Sequence, residues 1–289
     1  MKTTWIPAIL AVSVLVVAAG CGGGGSSCPS CGPELPPIEP PPSYDNHDEY
    51  FAENDYVDAT TCTQSGCHPN ADNEVMATVH WNWVSSPNAI AGSQGSEDHG
   101  KTDLLNNFCI SIPSNEGRCT QCHVGYGWVD DSFDHSDNTA IDCLICHDQT
   151  GTYAKNKPNG GLPVPDLDIQ AIAQSTDKGE PGRRNCLECH AKAGGGDNVK
   201  HGDLSASLYT ATFEDDVHMN VDGYNASCQR CHDTMDHEIA GQGLHYPTEG
   251  RADCTDCHSD TPHADGGANP TYDNHVDKVA CQTCHIPTF

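Results

Sequence analysis

Cys281-Gln-Thr-Cys284-His285 stands near the end of the chain, inside the stretch VACQTCHIPTF that covers residues 279–289. Two cysteines three positions apart, with histidine directly after the second, form the word C-x-x-C-H. The word occurs six times, at Cys119-Cys122-His123, Cys143-Cys146-His147, Cys186-Cys189-His190, Cys228-Cys231-His232, Cys254-Cys257-His258 and Cys281-Cys284-His285. A seventh copy, Cys62-Thr-Gln-Ser-Gly-Cys67-His68, has the longer C-x4-C-H spacing. This is the pattern of covalent c-type haem attachment. The paired cysteines form thioethers with the haem vinyl groups, and the adjoining histidine then sits under the iron as its proximal ligand. Zinc sites also pair C-x-x-C units, but they do not need histidine after every second cysteine. A disulfide framework leaves the histidines unexplained as well. The repeats therefore point to seven covalently bound haem c groups.

Composition agrees with a prosthetic core. The chain has 289 residues with 18 Cys and 17 His, but only five Phe and four Met. Its 28 Gly and 19 Pro favour loops and short elements. Apolar side chains are thin for a core of this size, and bound groups are the usual substitute. Each haem is a large, flat, apolar body, so the polypeptide can be a thin wrapping. The expected fold is mostly coil with short α-helices and little or no sheet, packed around covalent haems. Helices should start near the C-x-x-C-H words, and NEVMATVHWNW (73–83) should be one that carries His80 toward a haem.

The formal net charge of −28 excludes a nucleic-acid partner, because backbone phosphates need Lys and Arg. A solvated acidic surface explains the charge, and Ca2+ sites in the Asp-rich loops are the sharper alternative, although no EF-hand loop is complete. Residues 1–20 read as a signal peptide, with Lys2 ahead of an apolar run from Ile6 to Ala19. Small residues before Cys21 resemble the lipobox of bacterial lipoproteins, with Ala18 where Leu is preferred; ordinary signal-peptidase cleavage is the alternative. Residues 21–46 are a tether rich in Gly, Ser and Pro, in which Cys28 and Cys31 form a C-x-x-C without histidine. The haem domain is expected over 47–289. The chain is expected to be exported, as a periplasmic protein or an outer-membrane or cell-surface lipoprotein. Its contact with the membrane would be through the lipid anchor alone.

Ten histidines remain after the seven proximal ones: His47, His80, His99, His135, His201, His218, His237, His245, His263 and His275. Seven irons need sixth ligands, and bis-histidine ligation suits electron transfer. Spacing alone does not pair them.

The words around the motifs add a resemblance. VHWNW, NNFCIS, RCTQCHVGYGW, DCLICHDQTGTY, AGGGDNVKHGDLSASL, DVHMNVDG, DHEIAG and DNHVDKVACQTCHIPTF occur in chain order. From His47 to Phe289 the sequence resembles the octahaem tetrathionate reductase family of c-type cytochromes. The resemblance implies that His47, His80, His201, His218, His237, His263 and His275 are distal ligands, and that His99, His135 and His245 are not. It also implies an eighth haem in sequence beyond CQTCHIP, so this chain looks like the first seven haem segments of the family. One of the seven distal histidines would then belong to the eighth haem. The family's catalytic haem is the second, here on Cys119, Cys122 and His123. Its distal ligand is a lysine with an aspartate three residues earlier and a cysteine nearby. Cys109 matches the cysteine. Asp168 is taken for the aspartate, which puts Ala171 at the lysine position and leaves Lys101, Lys155, Lys157 and Lys178 as substitutes, each expected to be a solvated surface lysine.

Two functions follow. An electron carrier would pass electrons from other redox proteins or membrane quinol-oxidising donors along closely spaced haems. A reductase would bind a small anionic sulfur or nitrogen compound, such as tetrathionate or nitrite, or hydroxylamine, at an open second haem, with Cys109 and Asp168 positioning it. A subunit of a larger cytochrome assembly is a third reading.

Overall fold

The structure is a computed structural model that describes residues 46–82, 84–85, 99–100, 116–191, 204–241 and 251–285. The chain divides into two units, Met1–Pro40 and Pro41–Phe289, and every described residue lies in the second. The signal peptide, all of the tether but Asn46, Cys109, His201 and His245 lie outside the described residues.

Short helices joined by coil make up the unit: α1 (His47–Glu53), α2 (Ala59–Thr63), α3 (Ala71–Ala77), α4 (Val79–Asn82), α5 (Glu116–Cys119), α6 (Cys143–His147), α7 (Ile169–Ser175), α8 (Arg183–His190), α9 (Pro262–Asp265) and α10 (Gln282–His285). Among the described residues, strands are confined to two antiparallel ladders, β1 (Val84–Ser85) with β2 (His99–Gly100), and β3 (Thr234–Met235) with β4 (Glu238–Ile239). This matches the expected class. Among the described residues no helix is long and apolar enough to cross a membrane.

Aspartate and asparagine cap four of these helices. Asn46, Asp58, Asp142 and Asp168 each accept a backbone N–H in the first turn of α1, α2, α6 and α7, satisfying donors the helix leaves open. Other acids close their own turns, as Asp130 does with Ser132, Asp134 with Ser136 and Asp148 with Thr150. Much of the acidic composition is thus turn chemistry. Among the described residues no group of three or more His, Cys, Asp or Glu is arranged to hold a metal ion, so the calcium reading gains no support there.

The helix expected over 73–83 is broken. Thr78 is extended (φ −81°, ψ 161°) between α3 and α4, and its hydroxyl donates to Val75 O at 2.7 Å. That side-chain bond competes with continued helix.

Side-chain packing is uneven along the chain. Trp81, Ile141, Ile172 and Leu187 are fully buried; Ile172 lies in a cluster where α6 and α7 meet, Trp81 and Ile141 in one where α2 and α4 meet the Ile141 segment, and Leu187 on α8. A buried aliphatic side chain of this size contributes about 1.5–3 kcal/mol. Beyond Ala191 the buried apolar side chains described are only Ala211, Ala226 and Ala240, while Phe213, Val217, Tyr224, Met235 and Tyr272 are exposed. The C-terminal part is a shell whose apolar side chains have no polypeptide core to enter.

Candidate functional site

The attachment motifs coil into one turn. His232, His258 and His285 each donate their backbone N–H to the carbonyl of the motif's first cysteine, at 2.9, 2.8 and 3.0 Å. His68 makes the same closure onto Cys62 O at 3.0 Å, although two more residues intervene. Gly66, with φ 91°, lets the extra loop bulge out. The C-x4-C-H copy therefore closes like the last three, whereas in the second motif His123 N donates to Thr120 O at 2.9 Å.

Opposite five proximal histidines stands a second histidine at nearly constant distance. Ring centroids are 6.1 Å apart for His47–His68, 6.3 Å for His80–His190, 6.2 Å for His147–His237, 6.2 Å for His218–His258 and 6.0 Å for His263–His285. Direct ring packing would bring many such pairs closer. Two metal–nitrogen bonds of about 2 Å plus the half-widths of two imidazoles give roughly 6 Å. The spacing is what an iron between the rings requires. A cavity lined by Cys143, Cys146, His147 and His237 together with Val75, Val124 and Ile141 marks one such place. Its largely apolar wall suits a cofactor. Burial, reinforced by His237, His68 and His47, pushes the His147 pKa down to about 4, so the ring is neutral and able to ligate. Burial and the Asp142 carboxylate push the Cys146 thiol up to about 11, against the partial opposition of Lys155. A zinc ligand would have to be a thiolate.

Motifs distant in sequence lie together. The side chains of Cys62 and Cys143, of Cys122 and Cys189, of Cys186 and Cys228, and of Cys254 and Cys281 lie close together. The first motif therefore adjoins the third, the second the fourth, the fourth the fifth and the sixth the seventh.

His123 is different. It is buried, with Trp81, Trp128, Phe133 and His135 centred 4.8, 5.1, 5.5 and 5.9 Å away. His135 stands at the pair distance, but Trp128 and Phe133 are centred 4.7 and 4.9 Å from its ring and pack on His123 as well. The Nε2 of His123 lies 2.9 Å from Trp81 O. A Cβ at Gly125 would come 2.8 Å from the Trp81 ring and 3.0 Å from His123 Nδ1, so this close packing needs glycine.

Lys155 corrects an expectation. It is buried, with Nζ donating to His123 O at 2.7 Å and Gly125 O at 2.8 Å, and it pairs at 3.2 Å with Asp142, whose side chain is 0% exposed. Tyr153 donates its hydroxyl to the same carboxylate at 2.9 Å. Lys155 thus holds the backbone of the second motif and is no surface lysine. Lys178 is exposed and binds Asp48 and Asp177; Lys101 and the side chain of Lys157 lie outside the described residues. Asp168 is committed to α7, where Oδ1 accepts the Ala171 N–H at 3.0 Å. The chain also holds an Asp-x-x-Lys word at Asp197 and Lys200, in GGGDNVK, outside the described residues. His232, by contrast, presents Nδ1 to Ala240 O at 2.7 Å, and His275 forms no ring pair among the described residues.

No family model matches the chain. A protein of Archaeoglobus fulgidus, itself uncharacterized, is 23% identical over 232 residues, which are 64% of this chain and 75% of that one. The crystal structure of an octaheme cytochrome c from Shewanella oneidensis superposes with a TM-score of 0.69 at 39% identity, covering 84% of this chain and 53% of that one. This chain thus spans about half the length of that cytochrome. The motif turns, the spaced histidine pairs and this likeness together give the chain the fold of a multihaem c-type cytochrome.

Proposed function

We propose that the protein carries electrons through seven covalently attached haems in an exported compartment. The observation that carries this reading is the set of five histidine pairs with ring centroids 6.0–6.3 Å apart. Each haem, when bound, supplies an iron that changes oxidation state by one electron. The chain's part is to fix both axial imidazoles and to bring neighbouring motifs together, as the contacts between Cys62 and Cys143 and between Cys254 and Cys281 do. His201 and His275 are the two family-matched histidines left over from the five pairs, and either would serve His232.

A second reading concerns His123 alone. Its ring is packed against Trp81, Trp128 and Phe133 as well as His135, and Lys200 with Asp197 fits the family's ligand word. A lysine-ligated iron of that kind, beside Cys109, would bind a small oxidised sulfur or nitrogen compound. Purified, matured protein should show covalently bound haem by mass and low-spin signals by electron paramagnetic resonance. One high-spin or ligand-sensitive signal that changes with nitrite or hydroxylamine supports the reductase reading. Signals unmoved by either support the carrier, and a protein of apo mass ends both.

A further inference from the structure

The distal histidines are not held alike, and the difference lies behind the rings. His237 Nδ1 is 2.8 Å from Glu74 Oε2, and His263 Nδ1 is 2.8 Å from Asp273 Oδ1. His47 Nδ1 instead meets the Thr176 hydroxyl at 2.8 Å. That hydroxyl donates to Ala173 O at 2.9 Å, so toward His47 it is a neutral acceptor. A carboxylate accepts only, so Nδ1 of His237 and His263 carries the proton and Nε2 is left with its lone pair for a metal. Bonding to a carboxylate also raises the basicity of the imidazole as a ligand, more than a neutral oxygen does.

Neither carboxylate is a chance neighbour. Glu74 comes from α3, at a sequence separation of 163 from His237. Asp273 is fixed by two further bonds, Oδ1 accepting His263 N and Oδ2 accepting Ala264 N, both at 3.0 Å. The His263–Asp273 pair is the drier one, with side chains 23% and 10% exposed against 35% and 32% for His237 and Glu74. Shielding strengthens the influence of a charge on its neighbour.

We propose that Glu74 and Asp273 are positioning residues that set the two haems on His147–His237 and His263–His285 to lower reduction potential than the haem on His47–His68. This rests on the haem reading above. A more basic axial ligand stabilises ferric over ferrous iron, so the carboxylates make these two sites the harder ones to reduce and the more strongly reducing once reduced.

The test is a potentiometric titration of the full, haem-loaded chain, followed by visible and electron paramagnetic resonance spectra. Glu74→Gln and Asp273→Asn keep an acceptor oxygen beside the ring and remove only its charge. Each should raise one midpoint while the others stay in place. A tenfold change in ferric preference corresponds to about 59 mV for one electron. Glu74→Asp, which keeps the charge, should restore the low midpoint. Unmoved midpoints in Glu74→Gln, with haem count and low-spin signals intact, would overturn the proposal; so would an equal shift of every component. If Asp273→Asn does not mature, Glu74→Gln decides alone. Failure of the haem reading is separate, because it appears as missing covalent haem in the unaltered chain.

Discussion

Lys155 shows how a single side chain supports a cofactor site without touching the cofactor. Its ammonium ties the carbonyls of His123 and Gly125 to a carboxylate, Asp142, that has no access to water. Lys155→Met would leave that carboxylate with Tyr153 as its remaining side-chain partner. Breaking a buried pair in this way costs about 3–5 kcal/mol. Thermal melting of the haem-loaded variant should show a loss of that order, whereas trimming the exposed Lys178 should change little. Nothing local in the sequence separates these two lysines. Burial depends on Asp142 and Tyr153 arriving from the other side of the second motif. The C-x-x-C-H words were legible because their chemistry is contained in five adjacent residues. Five of the seven histidines singled out by the resemblance stand opposite a motif histidine, whereas Glu74 behind His237 was not legible at all, because its partner lies far along the chain.

At the scale of the element, helix starts obey short-range rules, but only those near the attachment motifs and the helix over 73–83 were expected from the sequence. Asp168 is the instructive case. A catalytic role was expected of it, yet its carboxylate caps α7. Asp168→Ala should cost about 1 kcal/mol of stability and leave the spectral response of the second haem to nitrite unchanged. A loss of that response would instead return Asp168 to the site. Thr78 taught the opposite lesson. The apolar spacing of 73–83 runs straight through it, but its hydroxyl closes onto Val75 O and ends the helix. The break separates α3, which carries Glu74, from α4, which carries His80 and Trp81, so two adjoining helices serve different pairs.

Across the whole molecule, stability is divided. The part up to Leu187 has buried Trp, Ile, Leu and Tyr side chains; the part beyond 204 buries little except alanine. Composition announced the shortage of core but not its place. In chain made without haem, hydrogen exchange should find amides of 204–241 and 251–285 nearly unprotected, while 141–191 exchanges more slowly. Equal protection in both would mean that the C-terminal shell holds itself together.

The histidine pairs also impose a calendar on assembly. His47 and His68 are neighbours in sequence, so their pair can close as soon as that segment emerges. His190 finds its partner, His80, already made. His147 must wait for His237, which appears only after two further attachment motifs have passed. A haem fixed at Cys143 and Cys146 therefore spends much of synthesis with one axial face unclaimed, and the third site is the one most exposed to capture by the wrong histidine while the chain is being completed.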